Sequence, residues 1–357
     1  MSTFNSPVQL SNIFKPKIWG RRDLAPLFAV PQSSGATGGQ FANQRIGEVW
    51  VTDDVSRFLN GPAAGKTLAE ASEKFGPELH GKSWPGRRFP LLAKYIFTSD
   101  WLSVQVHPDD AYAALHDPGN VGKCEMWYFL KADPDATILL GLKPGVTKRQ
   151  LPQVFKDGTS RDFLQSFRPQ PEEAAFLPPG MIHALGPGLM LFEVEENSDL
   201  TYRLDDFSRP GLDGKPRRLH LEKGLEVIRP EFPPLRDLPR VEFKEKYGTR
   251  RFVLASRYFA LEVLSVIRTA TFHSSPEKVE VLSIMEGEGR LENEAGWLAY
   301  RPGDTWLIPP AADLYRMVPA TDTKFLKFYV PDLQKDFRDP LKRQGIPAEK
   351  IRQIVFE

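Results

Sequence analysis

Four residues carry side chains that could share one metal ion: Gln105, His107, Glu125 and His183. Gln105 and His107 stand two apart in Trp101-Leu-Ser-Val-Gln-Val-His-Pro-Asp109, which reads as a β-strand. Val104 and Val106 point to one face of it and Ser103, Gln105 and His107 to the other, because successive strand side chains alternate. Glu125 belongs to a second strand, Gly122-Lys-Cys-Glu-Met-Trp-Tyr-Phe-Leu130, on which Lys123, Glu125 and Trp127 share a side. His183 follows a Pro-Gly turn in Phe176-Leu-Pro-Pro-Gly-Met-Ile-His-Ala-Leu185. Imidazole nitrogens, a carboxylate and an amide oxygen are donors that divalent zinc, iron or manganese accepts. Singly, each residue has a commoner reading: a solvated strand face for Gln-x-His, a paired surface carboxylate for Glu125, a buried or capping histidine for His183. Their joint order favours a metal centre: a strand with two donors, a strand with a carboxylate, then Pro-Gly-x-x-His.

The elements that must position these donors are short. With 32 prolines and 27 glycines spread over 357 residues, the chain is broken into strands and turns rather than long helices. A hydrophobic fraction of 41% is enough for real cores and, at this length, for two domains. Lys plus Arg (47) nearly cancel Asp plus Glu (46), which gives no basic field for nucleic acid or an anionic membrane. Any phosphate binding must be local. The single cysteine, Cys124, excludes an intrachain disulfide framework and fits a reducing compartment. The start shows no secretory pattern, and no apolar run approaches the roughly 20 residues of a spanning helix. The expectation is a cytoplasmic protein without membrane or nucleic-acid partners.

In chain order, the residues up to about Leu27 show no clean period, and Ser33 to Gly39 is a flexible loop by composition without the Gly-Lys-Ser/Thr end of a phosphate loop. Ile46 to Val51 reads as a strand, Thr67 to Phe75 as a short helix, and Phe89 to Phe97 as a largely apolar run enclosing Lys94. Asp109 to His116 is a short helical piece, Ile138 to Leu142 a strand, and Thr147 to Phe167 two short helices. Leu189 to Asn197 and Leu200 to Asp205 are strands. Pro-rich Glu231 to Arg240 reads as a linker. Beyond it, short strands recur at 252–254, 259–267, 279–286, 289–292, 304–308 and 324–329, as in a β-sandwich or barrel. The end, Pro331 to Glu357, reads as helical. Phe176-Leu-Pro-Pro-Gly-Met-Ile-His-Ala-Leu185 also aligns with Trp306-Leu-Ile-Pro-Pro-Ala-Ala-Asp-Leu-Tyr315, each followed by an apolar strand. Two related barrels explain this repeat. Leu314 takes the place of His183, so the chemistry belongs to the first barrel.

These motifs together resemble the type I mannose-6-phosphate isomerases, cupin proteins. The resemblance rests on Gly47-Glu-Val-Trp50, Phe89-Pro-Leu-Leu-Ala-Lys94, Ser103-Val-Gln-Val-His-Pro-Asp109, Gly122-Lys-Cys-Glu125, Pro179-Gly-Met-Ile-His-Ala-Leu-Gly186 and Glu193 through Tyr202-Arg-Leu-Asp-Asp-Phe207. It covers Trp19 to Ile228 well and the remainder more loosely. It implies a mainly β fold of tandem jelly-roll (cupin) domains: a metal-binding domain over residues 1–235 with a helical insertion near 147–168, a degenerate second domain over 236–332, and a helical tail over 333–357. It implies one zinc ion on Gln105, His107, Glu125 and His183, and Arg203 as an essential active-site residue. The substrate is then a sugar phosphate, and the reaction an aldose–ketose interconversion through a cis-enediol. A single carboxylate ligand leaves such a site positive, which suits an enediolate, and the neutral Gln105 keeps the metal electrophilic. Glu193 and Lys123 are candidates for the proton-moving group. Arg209, Ser103 and Lys94 are candidates for substrate and phosphate, with Arg209 on Arg203's side only if that strand continues.

One segment departs from the family. Short bacterial members usually follow Gly-Glu-x-Trp with His-Pro-Asn-Gly, whereas this chain has Val51-Thr-Asp-Asp-Val-Ser56, expected near the pocket mouth. Two other readings compete: a cupin dioxygenase using iron, against which Gln105 speaks, and a non-catalytic sugar-binding cupin, which predicts lost ligands in the first barrel.

Overall fold

The computed structural model describes residues 4–28, 44–84, 86 and 88–357, so the loop from Ser33 to Gly39 lies outside the described residues. Its strands form four sheets whose neighbouring strands run antiparallel. A six-stranded sheet runs Ile13–Arg21, Ile46–Thr52, Leu91–Phe97, Leu189–Glu196, Glu125–Ala132, Ala174–Leu177. A five-stranded sheet runs Tyr202–Asp205, Val104–Val106, His183–Leu185, Ile138–Leu142, Leu164–Phe167. Trp19, Ile96, Trp127 and Leu191 of the first meet Ile138, Leu140 and Leu185 of the second in one buried cluster, so these two sheets face each other. The chain crosses between them repeatedly, as in the cupin jelly roll, and residues distant in sequence converge.

The six-stranded sheet is buried on its other face too. Tyr95, Phe97, Tyr128, Phe192 and Val194 pack there with Leu261, Val281, Leu326 and Phe328. Those partners belong to a seven-stranded sheet, Val8–Leu10, Thr305–Ile308, Glu280–Glu286, Thr323–Tyr329, Ala260–Val266, Gly248–Ala255, Val241–Glu245. A sheet covered on both sides needs apolar residues at every position, which is why the run at Phe89 to Phe97 lacks alternation. Lys94 shares its face with Ile96, toward the first barrel, while Tyr95 points the other way and shares a hydrogen bond with Ser283 Oγ (2.7 Å). The edge strand Val8–Leu10 comes from the amino terminus, so the seven-stranded sheet is completed from outside residues 236–332.

A four-stranded sheet, Ala270–His273, Leu314–Pro319, Gly289–Asn293, Gly296–Tyr300, closes the second barrel over Leu264, Leu282, Trp306 and Phe325. Three of its strands, with Val241–Glu245, were not expected from sequence; they are short and partly exposed, so they carry little of the apolar alternation that marks a strand. The Pro-Pro repeat occupies matching places: His183 and Leu314 each open the strand after it, one buried and one exposed. The stretch Glu231 to Arg240 is a packed connection rather than a free linker, since Phe176 N–H donates to Leu235 O (2.8 Å) and Leu238 joins the core. Helices Leu151–Lys156 and Ser160–Phe163 occupy the expected insertion, but Leu164–Phe167 is a strand. The tail holds helical segments Leu333–Arg338, Asp339–Arg343 and Ala348–Arg352, packed on the seven-stranded sheet through Phe337, Leu341 and Ile351.

Candidate metal centre and active-site cavity

The donor strand is only Val104–Val106, three residues of the longer strand the sequence implied. Pro108 removes a backbone donor and Asp109 already caps the helix Asp110–His116. The short strand is nonetheless the middle of a row. Gln105 pairs in register with His183 on one side and with Arg203 on the other. Directly opposed side chains on neighbouring strands share a face about 5 Å apart. His183 is delivered by the turn at Gly180, whose φ of 92° and lack of room beside Arg229 Cγ exclude a side chain; its N–H is bonded to His107 O (2.8 Å).

Both histidines are oriented by backbone carbonyls. His107 Nδ1 donates to Leu200 O and His183 Nδ1 to Met181 O, each at 2.9 Å, which leaves both Nε2 lone pairs free. Those atoms converge on Glu125: His183 Nε2 stands 3.2 Å from Oε1 and His107 Nε2 3.5 Å from Oε2. The three ligand atoms lie within 4.8 Å of one another. Gln105 Nε2 is 3.2 Å from His183 Nε2, and Ser103 Oγ donates to Gln105 Oε1 (3.2 Å); a half-turn of the amide presents Oε1 to a shared cation. All these residues but Gln105 are fully buried. Burial pushes the His183 imidazole down to about 4, so it is neutral and able to ligate at pH 7. Burial works against ionisation of Glu125, but Lys123 and the two histidines outweigh it and hold the carboxyl well below its usual range.

A charged group adjoins the donors from the six-stranded sheet. Lys94, Glu193 and Trp127 are register partners across three strands, and Glu195 pairs with Glu125. Lys94 Nζ lies 3.1 Å from Glu193 and 2.9 Å from Glu195; Lys123 Nζ lies 2.9 Å from Glu125 and 2.8 Å from Glu195. The Trp127 indole N–H donates to Glu193 Oε2 (2.7 Å). The two glutamates diverge. Burial and Glu125 oppose ionisation of Glu193, yet Lys94 and Lys123 keep it lowered, whereas burial raises Glu195 well above the carboxylate range. The site thus favours the ionised form of Glu193 and opposes that of its neighbour Glu195. The lysines remain ammonium ions: burial disfavours their charge, and the surrounding glutamates restore it. A cavity of about 200 Å³ opens on the whole group, lined by Ser103, Gln105, Lys123, His183, Glu193 and Arg203 among others.

The model of the type I phosphomannose isomerase catalytic domain matches residues 8–126. The protein named "Probable mannose-6-phosphate isomerase GmuF" of Bacillus subtilis is 34% identical over 309 residues, 85% of this chain and 93% of that one. Mannose-6-phosphate isomerase ManA of the same organism is 32% identical, with the same coverage. The chain belongs to the mannose-6-phosphate isomerases. In three dimensions it is similar to the crystal structure of the mannose 6-phosphate isomerase from Bacillus subtilis, at a TM-score of 0.80 and 28% identity over 90% of this chain and 99% of that one. A mannose 6-phosphate isomerase solved with zinc bound shares the fold at a TM-score of 0.68 and 17% identity, over 91% of this chain and 99% of that one.

Within this family framework, Lys94, Ser103, Gln105, Lys123, His183, Glu193 and Arg203 line the cavity, with His107 and Glu125 buried beside it. Arg209 does not line it. The strand ends at Asp205, and Phe207 and Ser208 take positive φ (56° and 54°), which turns Arg209 toward Asp100 and Asp206, each 2.9 Å away. Residues 51–56 are also absent from the lining. Val51, Thr52 and Ser56 are buried, and Ser56 O accepts the Leu68 N–H beneath the helix Leu68–Phe75, so the segment is structural rather than a mouth. Sequence reasoning missed Lys17, Glu195 and Arg217. Glu195 was within reach, two residues from Glu193 on the same strand face. The described helices include none long and apolar enough to cross a membrane.

Proposed function

We propose that this protein is a zinc-dependent isomerase that interconverts mannose 6-phosphate and fructose 6-phosphate through a cis-enediol(ate). The observation that carries the reading is the convergence of Gln105, His107, Glu125 and His183 beside a cavity that also meets an ionised Glu193 and Arg203. The donor set fits zinc. Among the described residues, His107 Nε2 is buried without a hydrogen bond, as an atom reserved for a cation would be, and Glu125 Oε1 has only the imidazole nitrogen of His183 nearby. The zinc bound by the fold relative supports that choice of metal. One ion per chain suffices, because the described residues offer one cluster containing imidazole.

Zinc bound by these four residues supplies Lewis-acid polarisation of the sugar's C1 and C2 oxygens. Glu193 takes the C2 proton and returns it at C1; the Trp127 indole fixes its other oxygen and so the direction it faces. Lys123, an ammonium between Glu125 and Glu195, stabilises negative charge on the sugar oxygens and is not the base. Lys94 is committed to Glu193 and Glu195, so it sets the ionisation of the base rather than binding phosphate. Arg203, beside Gln105, meets charge on the enediolate, and Ser103 adds a hydroxyl near the donors. The test is an enzyme-linked assay for fructose 6-phosphate from mannose 6-phosphate. Metal-replete protein should turn over, lose activity to a chelator and regain it with zinc. No turnover by metal-replete protein refutes the reading, and oxygen consumption instead would establish a dioxygenase.

A further inference from the structure

The cavity contains more cations than the reaction at C1 and C2 uses, and all but two are neutralised by a dedicated neighbour. Lys17 stands 3.0 Å from Glu48, and Lys94 and Lys123 are held among Glu125, Glu193 and Glu195. The two arginines differ. Among the described residues, Arg203 has no carboxylate at ion-pair distance, and its buried Nε has no hydrogen-bond partner; Nη1 donates to Arg218 O (3.0 Å). Arg217 has Asp206, which accepts from its Nε (2.6 Å) and Nη2. The same carboxylate also accepts from Arg209 Nη2 (2.9 Å), and Asp100 accepts from that arginine's Nη1 (2.9 Å), so the guanidiniums of Arg203, Arg209 and Arg217 stand against the two carboxylates Asp100 and Asp206. Positive charge in excess therefore gathers where Arg203 and Arg217 meet.

That end also lies beyond the metal donors in the same cavity. Arg203 is the register partner of Gln105, on the side away from His183. Arg217 is reached only after the loop that turns back at Phe207 and Ser208 and is closed by Gly211 N–H to Lys215 O (2.7 Å). Arg203 and Arg217 line the same cavity as Gln105 and His183, so a hexose phosphate with C1 and C2 at the donors has this end of the cavity for its C6 substituent. Asp206 grips the Nε and Nη2 side of Arg217, which fixes the plane of the guanidinium and leaves its Nη1 end for another acceptor.

On the isomerase reading above, we propose that Arg217, held in place by Asp206 on the far side of Arg203 from the metal donors, binds the substrate's phosphate, and that Arg209 only supports Asp206. Arg217 then separates phosphorylated from free sugars: the guanidinium fork matches a phosphate, and an unphosphorylated hexose leaves the half-buried excess of positive charge at this end without an anion. Arg217 is a substrate-binding residue and Asp206 a positioning residue.

The experiment uses the zinc-loaded protein. Arg217→Gln should raise the KM for mannose 6-phosphate roughly 10- to 100-fold, the loss expected for a charge-assisted hydrogen-bonded pair, with a much smaller change in kcat. Inorganic phosphate, titrated calorimetrically, should weaken in parallel, while zinc content stays at the parent level. Arg217→Lys, which keeps the charge and loses the fork, should fall between, and Asp206→Asn should shift KM more than kcat. Arg209→Gln should change KM far less than Arg217→Gln. The proposal is overturned if Arg217→Gln leaves KM and phosphate affinity near the parent's, or if Arg209→Gln matches it. A parent that binds phosphate but does not isomerise refutes the catalytic reading alone, and the titrations still decide the phosphate site.

Discussion

Replacing Glu193 by Gln separates chemistry from stability more cleanly than any other change at this site. The amide preserves the shape and can still accept the Trp127 indole hydrogen bond of 2.7 Å, but it cannot take a proton. Lys94 loses its partner at 3.1 Å and keeps Glu195 at 2.9 Å. Burial and, among nearby charges, Glu193 oppose ionisation of Glu195. With Glu193 neutral, Glu195 ionises more readily and restores the balance around Lys94. The stability loss should therefore stay near 1–2 kcal/mol, below the roughly 3–5 kcal/mol of a broken buried ion pair left uncompensated. Loss of a general base removes about 10²- to 10⁴-fold in rate, or roughly 3–5 kcal/mol of transition-state stabilisation. Steady-state kinetics on the zinc-loaded variant, with metal analysis and urea denaturation on the same preparation, measure all three quantities. A kcat within tenfold of the parent at full zinc occupancy refutes the assignment of Glu193 as the base.

His183→Ala should abolish zinc retention, because it removes a neutral imidazole already fixed by Met181 O; metal analysis after dialysis checks this. Arg203→Ala should keep the zinc and lose rate, so zinc loss in that variant would contradict the separation of the two roles. A pH effect is expected far from the metal. His80 is buried against Phe89, neither ring nitrogen has a hydrogen-bond partner among the described residues, and burial lowers its pKa from 6.5 to about 4. The unfolded chain binds this proton below about pH 6.5 and the native state only near 4, so stability is full above that window and falls as the pH drops through it, by up to about 3 kcal/mol. Urea denaturation at pH 7, 5.5 and 4.5 should show this slope in the parent and a smaller one in His80→Leu.

The convergence of Gln105, His107, Glu125 and His183 was legible because its signal is one-dimensional: Gln-x-His on a strand, a carboxylate on the next, a Pro-Gly turn before a histidine. The fold class followed from turn spacing and from the Pro-Pro repeat. The phosphate end was not legible. Whether Arg209 reaches the cavity depends on two residues, Phe207 and Ser208, taking a left-handed conformation that their side chains do not advertise, and Arg217 depends on where the loop returns. The position of residues 51–56 was misjudged for a related reason: a polar segment such as Thr52-Asp53-Asp54 reads as surface until a helix packs over it. The strand Gly296–Tyr300 was hidden because Trp297 and Ala299 face outward and leave no core pattern.

The six-stranded sheet, with apolar residues on both faces, limits how this protein could be made smaller. The second barrel lacks the histidine that opens the metal-binding strand in the first, which invites its removal as dispensable. Yet Tyr95, Phe192 and Val194 alternate along the same strands as Lys94, Glu193 and Glu195, and the seven-stranded sheet supplies much of their apolar cover, with Phe328 5.4 Å from Phe192. A miniaturised enzyme ending near residue 235 would present that greasy surface to water and invite sheet-to-sheet aggregation. The ligand-free half of the molecule is thus an internal chaperone for the half that does chemistry.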